Sequence, residues 1–488
     1  MPLLLLSLPP VIAVLMLIVN KRKIVTVLNV LGSLSIFVTG ILVARRVFTT
    51  GPVQEWGQVI YIDALGAFII GLISIVGLLG ALYSISYTSH EVDSGKVPEG
   101  RLKWYYFWFY IFIFTMLAVV MANNLGIMWV AVEGTTLASA LLVGYYDKHS
   151  SLEAAWKYII ICTVGIIFAL FGIILLYVAA VPILGEGSST LDWNNLVRVS
   201  QQMDPKLLKL AFIFILVGFG TKVGFAPMHT WLPDAHSQAP SPVSAVLSGV
   251  LLNCALYAIL RVHLVVGKAV GSGFSSDLLL IFGLLSVGVS LPFIIVQHDL
   301  KRLLAYSSVE HMGIIATAIG IGGKLGLYGA FLHMLNHSLT KSTLFFVAGN
   351  VTQKYHTKNI GRIKGVIKAM PISGPALLLG TFAIAGVPPF NIFISEFTIL
   401  SSGFAQGKYL PSGLLLVFVT LVFAGMVFAM SKMALGSPPG RVKYGEPSRW
   451  SAVMVLIPLV MISVLGIYIP GFIDNILGQV VAVMGGGR

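Results

Sequence analysis

Charge is what this sequence has least of. Only 10% of its 488 residues are Asp, Glu, Lys or Arg, where a soluble domain carries about 25%. Hydrophobic residues make up 57%, and the mean hydropathy is +0.93. These values exclude a soluble enzyme, with or without a single anchor, and leave an all-α polytopic membrane protein. Long strand-like alternation of polar and apolar residues is also missing, which excludes a β-barrel. Cysteine is nearly absent. Cys162 and Cys254 each sit in an apolar stretch, and two buried thiols do not make the four-ligand set of an iron–sulfur cluster. The segment "GFGTKVG" at 218–224 lacks the GK[ST] ending of a phosphate loop and follows no strand. No nucleotide, flavin or cluster motif is present, so the expectation is no cofactor and no redox centre in this chain. Acidic residues are outnumbered 18 to 31, for a net charge of +13. The basic residues lie in short loops rather than on one soluble face, which argues against a nucleic-acid partner.

What is there is a series of apolar runs. About fourteen are long enough to cross a bilayer, which takes about 20 helical residues. They fall near 2–20, 24–44, 62–87, 104–121, 125–146, 155–181, 207–226, 243–263, 277–297, 303–322, 325–352, 370–386, 411–431 and 450–470. Of the Lys and Arg in loops, roughly two in three lie on one side of this layout, the side expected to face the cytoplasm. The N-terminus then lies outside. "MPLLLLSLPPVIAVLMLIVNKRK" carries its charges after the apolar core, so it reads as an uncleaved first helix rather than a signal peptide.

Two runs are interrupted. After Lys222 comes "VGFAPMHTWLPDAHSQAPSPVSA", and after Phe382 comes "AIAGVPPFNIFISEFTIL". Proline breaks the helical ladder, and broken helices in matching places of two halves mark ion sites in transporters. Residues 104–263 and 277–431 each hold five spans with the break in the fourth. Five is odd, so the two repeats are expected to be inverted. Helices 1–3 (1–90) precede them and helix 14 (450–488) follows.

Charges inside such spans each cost about 2.5–3.5 kcal/mol at a helix centre, and so point to function. Glu133 lies in "IMWVAVEGTTLASALLVGY", Lys222 ends "AFIFILVGFGTK", and Glu396 follows the second break. Burial favours a neutral amine, and a nearby carboxylate favours the ammonium. Moving a carboxylate beside a buried lysine therefore loads or unloads a proton. In "FLHMLNHSLTKSTLFF", His333, His337 and Lys341 recur every four residues, a stripe about 12 Å long on one helix face. The spacing fits a proton relay. It lacks the glutamate of the zinc motif HExxH, and no third ligand is evident nearby, so no metal site is expected. His229 and its neighbours Trp231, Asp234 and His236 line or flank an entrance. Glu310 and His311 face a cavity or a packed core. Asp63 and Lys157 read as structural, and Asp299, Lys301 and Arg302 as topological.

At these residues the chain resembles the antiporter-like subunits shared by respiratory complex I, Mrp-type cation/proton antiporters and membrane-bound group 4 hydrogenases. The resemblance rests on "GTKVGFAPMHTWLPDAHSQAPSPVSAVLSG", "HDLKRLLAYSSVEHMG", "HMLNHSLTKSTLFFVAGNV" and "GVPPFNIFISEF". It is strongest toward the hydrogenase-4 component F type, which includes the equivalent antiporter-like subunit of archaeal membrane-bound hydrogenases and sulfur reductases. It implies fourteen helices, two inverted five-helix repeats and broken helices 7 and 12. It implies that Glu133 pairs with Lys222, that His333, His337 and Lys341 continue the path, and that Glu396 ends it. Asn253 stands where the complex I middle subunit has a lysine, and an asparagine cannot carry the proton as a charge. The expected function is proton or sodium translocation in a membrane-bound redox complex, with the redox chemistry in partner subunits. The alternative is a subunit of a Mrp-type antiporter not driven by redox. The expected partners are other membrane and redox subunits, the moved ion and lipid, in the cytoplasmic membrane. The chain ends soon after its last span, without the long lateral helix of the distal complex I subunit, which implies a medial position.

Overall fold

The computed structural model describes residues 1–19, 21–440 and 442–485. The chain is helical almost throughout. The first helices are α1 (Pro2–Ile18), α2 (Arg22–Thr50), α3 (Ala64–Asp93), α4 (Arg101–Met121), α5 (Leu125–Val143) and α6 (His149–Leu184). A short α7 (Trp193–Val199) precedes α8 (Pro205–Val223), α9 (Trp231–Gln238), α10 (Ser241–Val246) and α11 (Leu252–Val270). Then come α12 (Gly273–Ile295), α13 (Leu300–Ile321), α14 (Gly323–Tyr355), α15 (Val366–Ala369), α16 (Ser373–Ile384) and α17 (Asn391–Ala405). The last are α18 (Tyr409–Ala434), α19 (Arg449–Ile467) and α20 (Gly471–Val483). The sheet among the described residues is a hairpin of β1 (Val53–Glu55) and β2 (Ile60–Ile62), antiparallel with Val53 opposite Ile62.

Ten helices are long and apolar enough to cross a membrane, counting α10 and α11 as one. With α1, α14 and two broken spans they make the expected fourteen. The chain is a multi-pass membrane protein. Each broken span is two helices joined by non-helical backbone. α8 stops at Gly224, whose φ of 87° suits glycine, and α9 begins at Trp231. α16 stops before Gly386, at φ 67°, and α17 begins at Asn391 after Pro388 and Pro389. The second break therefore divides one span at its middle, and its far half lies beyond the 370–386 expected from hydropathy.

The two halves pack in the same order. α4 lies on α5, α5 on α6, α6 on α8 and α9, and α8 on α11. In the second half α12 lies on α13, α13 on α14, α14 on α16 and α17, and both of these on α18. α14 is the central post. Every residue from Gly329 to Val351 is buried, so its polar side chains face protein on all sides, as a helix buried all round must. α18, by contrast, exposes Leu414, Leu416, Val417 and Leu421 on its outer face.

Candidate functional site

Lys222 closes α8 and is fully buried. Its ammonium donates to Thr136 Oγ1 at 2.9 Å and to the Tyr158 hydroxyl. It also lies 4.5 Å from the Tyr158 ring centre, a cation–π contact that strengthens away from water. The break makes this cage. Trp231, the first residue of α9, folds back so that its ring stacks on Tyr158 at 4.5 Å and its indole N–H donates to Thr221 O at 2.8 Å.

The expected Glu133–Lys222 ion pair is not formed. Among the described residues no ion pair joins them, and the Glu133 carboxylate instead accepts from the Thr163 hydroxyl at 3.0 Å. Its second oxygen is buried without a hydrogen-bond partner among the described residues. The reason is geometric. Thr136, one turn along α5 from Glu133, and Tyr158 of α6 take the ammonium's hydrogen bonds, so neutral oxygens hold the lysine in place of the carboxylate.

Between this cage and α14 lies a π-helical turn, Leu247–Leu251, between α10 and α11. It brings Gly249 O to within 2.6 Å of Ser338 Oγ, which donates to it. Asn253 donates to Gly249 O at 2.9 Å and to Ser338 Oγ at 3.0 Å, and its own carbonyl has no partner among the described residues. Asn253 thus touches the α14 stripe directly, through a residue that does not titrate.

On α14, Lys341 donates to Leu304 O at 2.6 Å and to the Ser307 hydroxyl, both on α13. Glu310 lies one turn further along α13 and is buried. His311, next to it, links the stripe. Its Nδ1 is 2.9 Å from His333 Nε2, and its ring centre is 5.3 Å from that of His337. His333 Nδ1 in turn meets Ser395 Oγ at 3.0 Å. Both ring nitrogens of His337 are buried without a hydrogen-bond partner among the described residues. Glu396, on α17, brings a carboxylate oxygen to within 4.8 Å of the nitrogens of His311 and His333. The second break positions it, because a Cβ at Gly386 would stand 2.2 Å from Glu396 Oε2.

The three donors His311, His333 and Glu396 correct the expectation that no third metal-ligand group lies near the histidines. The folded chain supplies the carboxylate from about 60 residues away. In this structure two of its nitrogens, His311 Nδ1 and His333 Nε2, are hydrogen-bonded to each other at 2.9 Å.

His229 and His236 flank the first break. His229 Nδ1 and both nitrogens of His236 are buried and without a hydrogen-bond partner among the described residues, and His236 stacks on Phe345 of α14 at 5.3 Å. Next to His236, a cavity of 380 Å³ is lined by Glu91, Lys96, Ser237, Lys301, Gln353 and Lys358. Lys358 donates to Ser237 O at 2.6 Å. Burial lowers the affinity of the Lys358 amine for its proton, and Asp299 partly offsets this. Lys301 is not a surface topology marker. It is buried and donates to Ala239 O at the end of α9. Asp299 caps α13 through the N–H groups of Lys301 and Arg302, and Lys157 pairs with Glu153 at 2.6 Å. Asp63 pairs bidentately with Arg261 at 2.6 and 2.8 Å, and the guanidinium lies 4.3 Å from the Trp193 ring. Sequence reasoning missed Thr136, Tyr158, Ser307 and Ser395, which carry no charge.

Residues 122–424 match the family model described as NADH:quinone oxidoreductase/Mrp antiporter, transmembrane. The chain belongs to this family. It is an antiporter-like membrane subunit of the kind shared by complex I, Mrp and hydrogenase systems. Over 414 residues, 85% of this chain and 86% of the relative, it is 41% identical to the hydrogenase-4 component F homolog of Methylacidiphilum infernorum. It is 32% identical over 358 residues to hydrogenase-4 component B of Escherichia coli, a match that spans 71% of this chain but only 51% of that protein. The fold is similar to a chain of the membrane-bound sulfane sulfur reductase, an archaeal respiratory membrane complex. The TM-score is 0.86 at 24% identity, covering 99% and 98% of the two chains. It is also similar to a chain of the Mrp complex from Dietzia sp., with a TM-score of 0.84 at 18% identity over 98% and 96%. Glu133, Lys222, Lys341 and Glu396 lie on four separate helices, α5, α8, α14 and α17.

Proposed function

We propose that this chain is the proton-translocating subunit of a membrane-bound redox complex of the hydrogenase type. It sits in the cytoplasmic membrane with its N-terminus outside, and partner subunits carry the redox chemistry. The observation that carries this reading is the imidazole contact between His311 and His333 beside Glu396. Hard cations take oxygen ligands, whereas a link made of ring nitrogens passes protons. A neutral imidazole accepts at one nitrogen and donates from the other, so His311 and His333 relay directly, and His337, 5.3 Å from the His311 ring, joins them through water.

The path runs from Glu133 and Lys222 through the Asn253–Ser338 contact to Lys341, Glu310 and the three histidines, and ends at Glu396. His229 and His236 lie at the first break, and Ser237, the residue after His236, lines the basic cavity. The orphaned nitrogens of His236 and His337 and the free oxygens of Asn253 and Glu133 leave hydrogen-bonding capacity that bridging water satisfies. Lys222, held by neutral oxygens, changes its charge state if Glu133 swings toward it. The 41% identity to a component F homolog favours the hydrogenase type.

A second reading, a Mrp-type antiporter subunit driven by an ion gradient, is favoured by the likeness in fold to the Dietzia complex. Purification of the native chain with its partners separates the two. Co-purifying nickel–iron or iron–sulfur subunits support the redox complex, and small hydrophobic antiporter partners alone overturn it. Ion specificity is tested in proteoliposomes by redox- or gradient-driven uptake followed with pH-sensitive and sodium-sensitive dyes. Uptake that needs sodium and moves no protons overturns the proton path.

A further inference from the structure

A groove of 530 Å³ opens on the lipid-facing side between α2, α3, α14, α19 and α20. Its floor is apolar. Leu335 and Leu339 of α14 and Leu72 of α3 form it, and Gly71 leaves it open: a Cβ there would meet nothing within 4 Å. Its polar groups gather at one end. Arg45 and Thr49 lie in the last turns of α2, and Gln479 of α20 donates to Phe48 O at 3.2 Å, closing α20 over that end. Arg45 is exposed and its guanidinium has no ion pair or hydrogen bond among the described residues, while its neighbour Arg46 lies 4.0 Å from Glu55.

We propose that this groove binds one acyl chain of a phospholipid whose anionic headgroup is held by Arg45. The walls are membrane-spanning helices, so the occupant of the trough is hydrocarbon. A partner helix fits poorly. A helix with its side chains is about 10–12 Å across, whereas an extended acyl chain is thin enough to thread between side chains. The free guanidinium selects the charge, because Arg binds phosphate oxygens through paired N–H groups. Leu335 and Leu339 lie on α14 between His333 and Lys341. The lipid chain therefore packs on the back of the helix that carries the titratable stripe and supports it from the bilayer side.

The test is native mass spectrometry of the full chain, extracted mildly from nanodiscs holding equal amounts of phosphatidylglycerol and phosphatidylcholine. The wild type is expected to retain one lipid, with phosphatidylglycerol preferred by about tenfold, the ratio expected for one charge-assisted contact. Gly71→Leu fills the trough and should release the lipid. Arg45→Gln alters only an exposed side chain, and should keep one lipid while losing the preference for phosphatidylglycerol. A wild type that retains no lipid, retention unchanged by both substitutions, or a partner helix seated in the groove of the intact complex would overturn the proposal.

Discussion

His311 and His333 meet at 2.9 Å although they sit on different helices, α13 and α14. This contact joins what would otherwise be two separate sets of titratable groups. His333 and His337 point into the core from one helix, and His311 lies against both. If protons pass along this line, His311→Ala should lower ion uptake by about a hundredfold or more, the range that positioned proton-transfer groups supply. Assembly should be unchanged. Uptake at the wild-type rate in reconstituted vesicles would remove His311 from the path.

The Lys222 cage makes a graded prediction. Lys222→Ala should abolish coupled transport. Tyr158→Phe keeps the ring face but removes one hydrogen-bond acceptor, worth about 1.5–3 kcal/mol when the donor is charged. It should give an intermediate rate. Equal rates for Tyr158→Phe and the wild type, measured side by side, would show that the hydroxyl plays no part.

Gly386, in the second break, lies tight against Glu396. A methyl group there would stand 2.2 Å from Glu396 Oε2, at a backbone φ of 67° that disfavours other residues. Gly386→Ala should displace the Glu396 carboxylate from His311 and His333. We expect loss of transport close to that of Glu396→Gln. If Gly386→Ala pumps normally, the position of Glu396 beside the histidines is not required.

The Asp63–Arg261 pair should behave differently from the central line. Removing one partner of a buried ion pair costs about 3–5 kcal/mol. Asp63→Asn should therefore lower thermal stability and yield, while transport per assembled molecule stays near wild type. The double substitution of both residues by apolar side chains should recover much of the stability. A coupling defect in well-folded Asp63→Asn would assign the pair to the path.

Much of this protein was legible before it was folded. Scarce charge and long apolar runs determine a polytopic membrane protein, because backbone in lipid must bond to itself. The proline-rich breaks after Lys222 and Phe382 were visible, since proline and glycine act locally whatever surrounds them. Glu133, Lys222, Lys341 and Glu396 stood out because an ionisable group in a span is costly, and the four-residue spacing of His333, His337 and Lys341 is a property of one helix.

Only the tertiary structure decided how these groups meet. Thr136 and Tyr158 are neutral and ordinary in sequence, yet they hold Lys222 where Glu133 was expected. Ser307 does the same for Lys341. Glu396 lies beside His311 and His333 because α17 begins after the second break and packs on α14. Lys301 reads as a loop cation and is buried against α9. Hydropathy and spacing report what a residue costs and which face of its own helix it occupies. Which neighbour satisfies it depends on the angle and depth at which separate helices cross, and those are set by packing across the whole bundle.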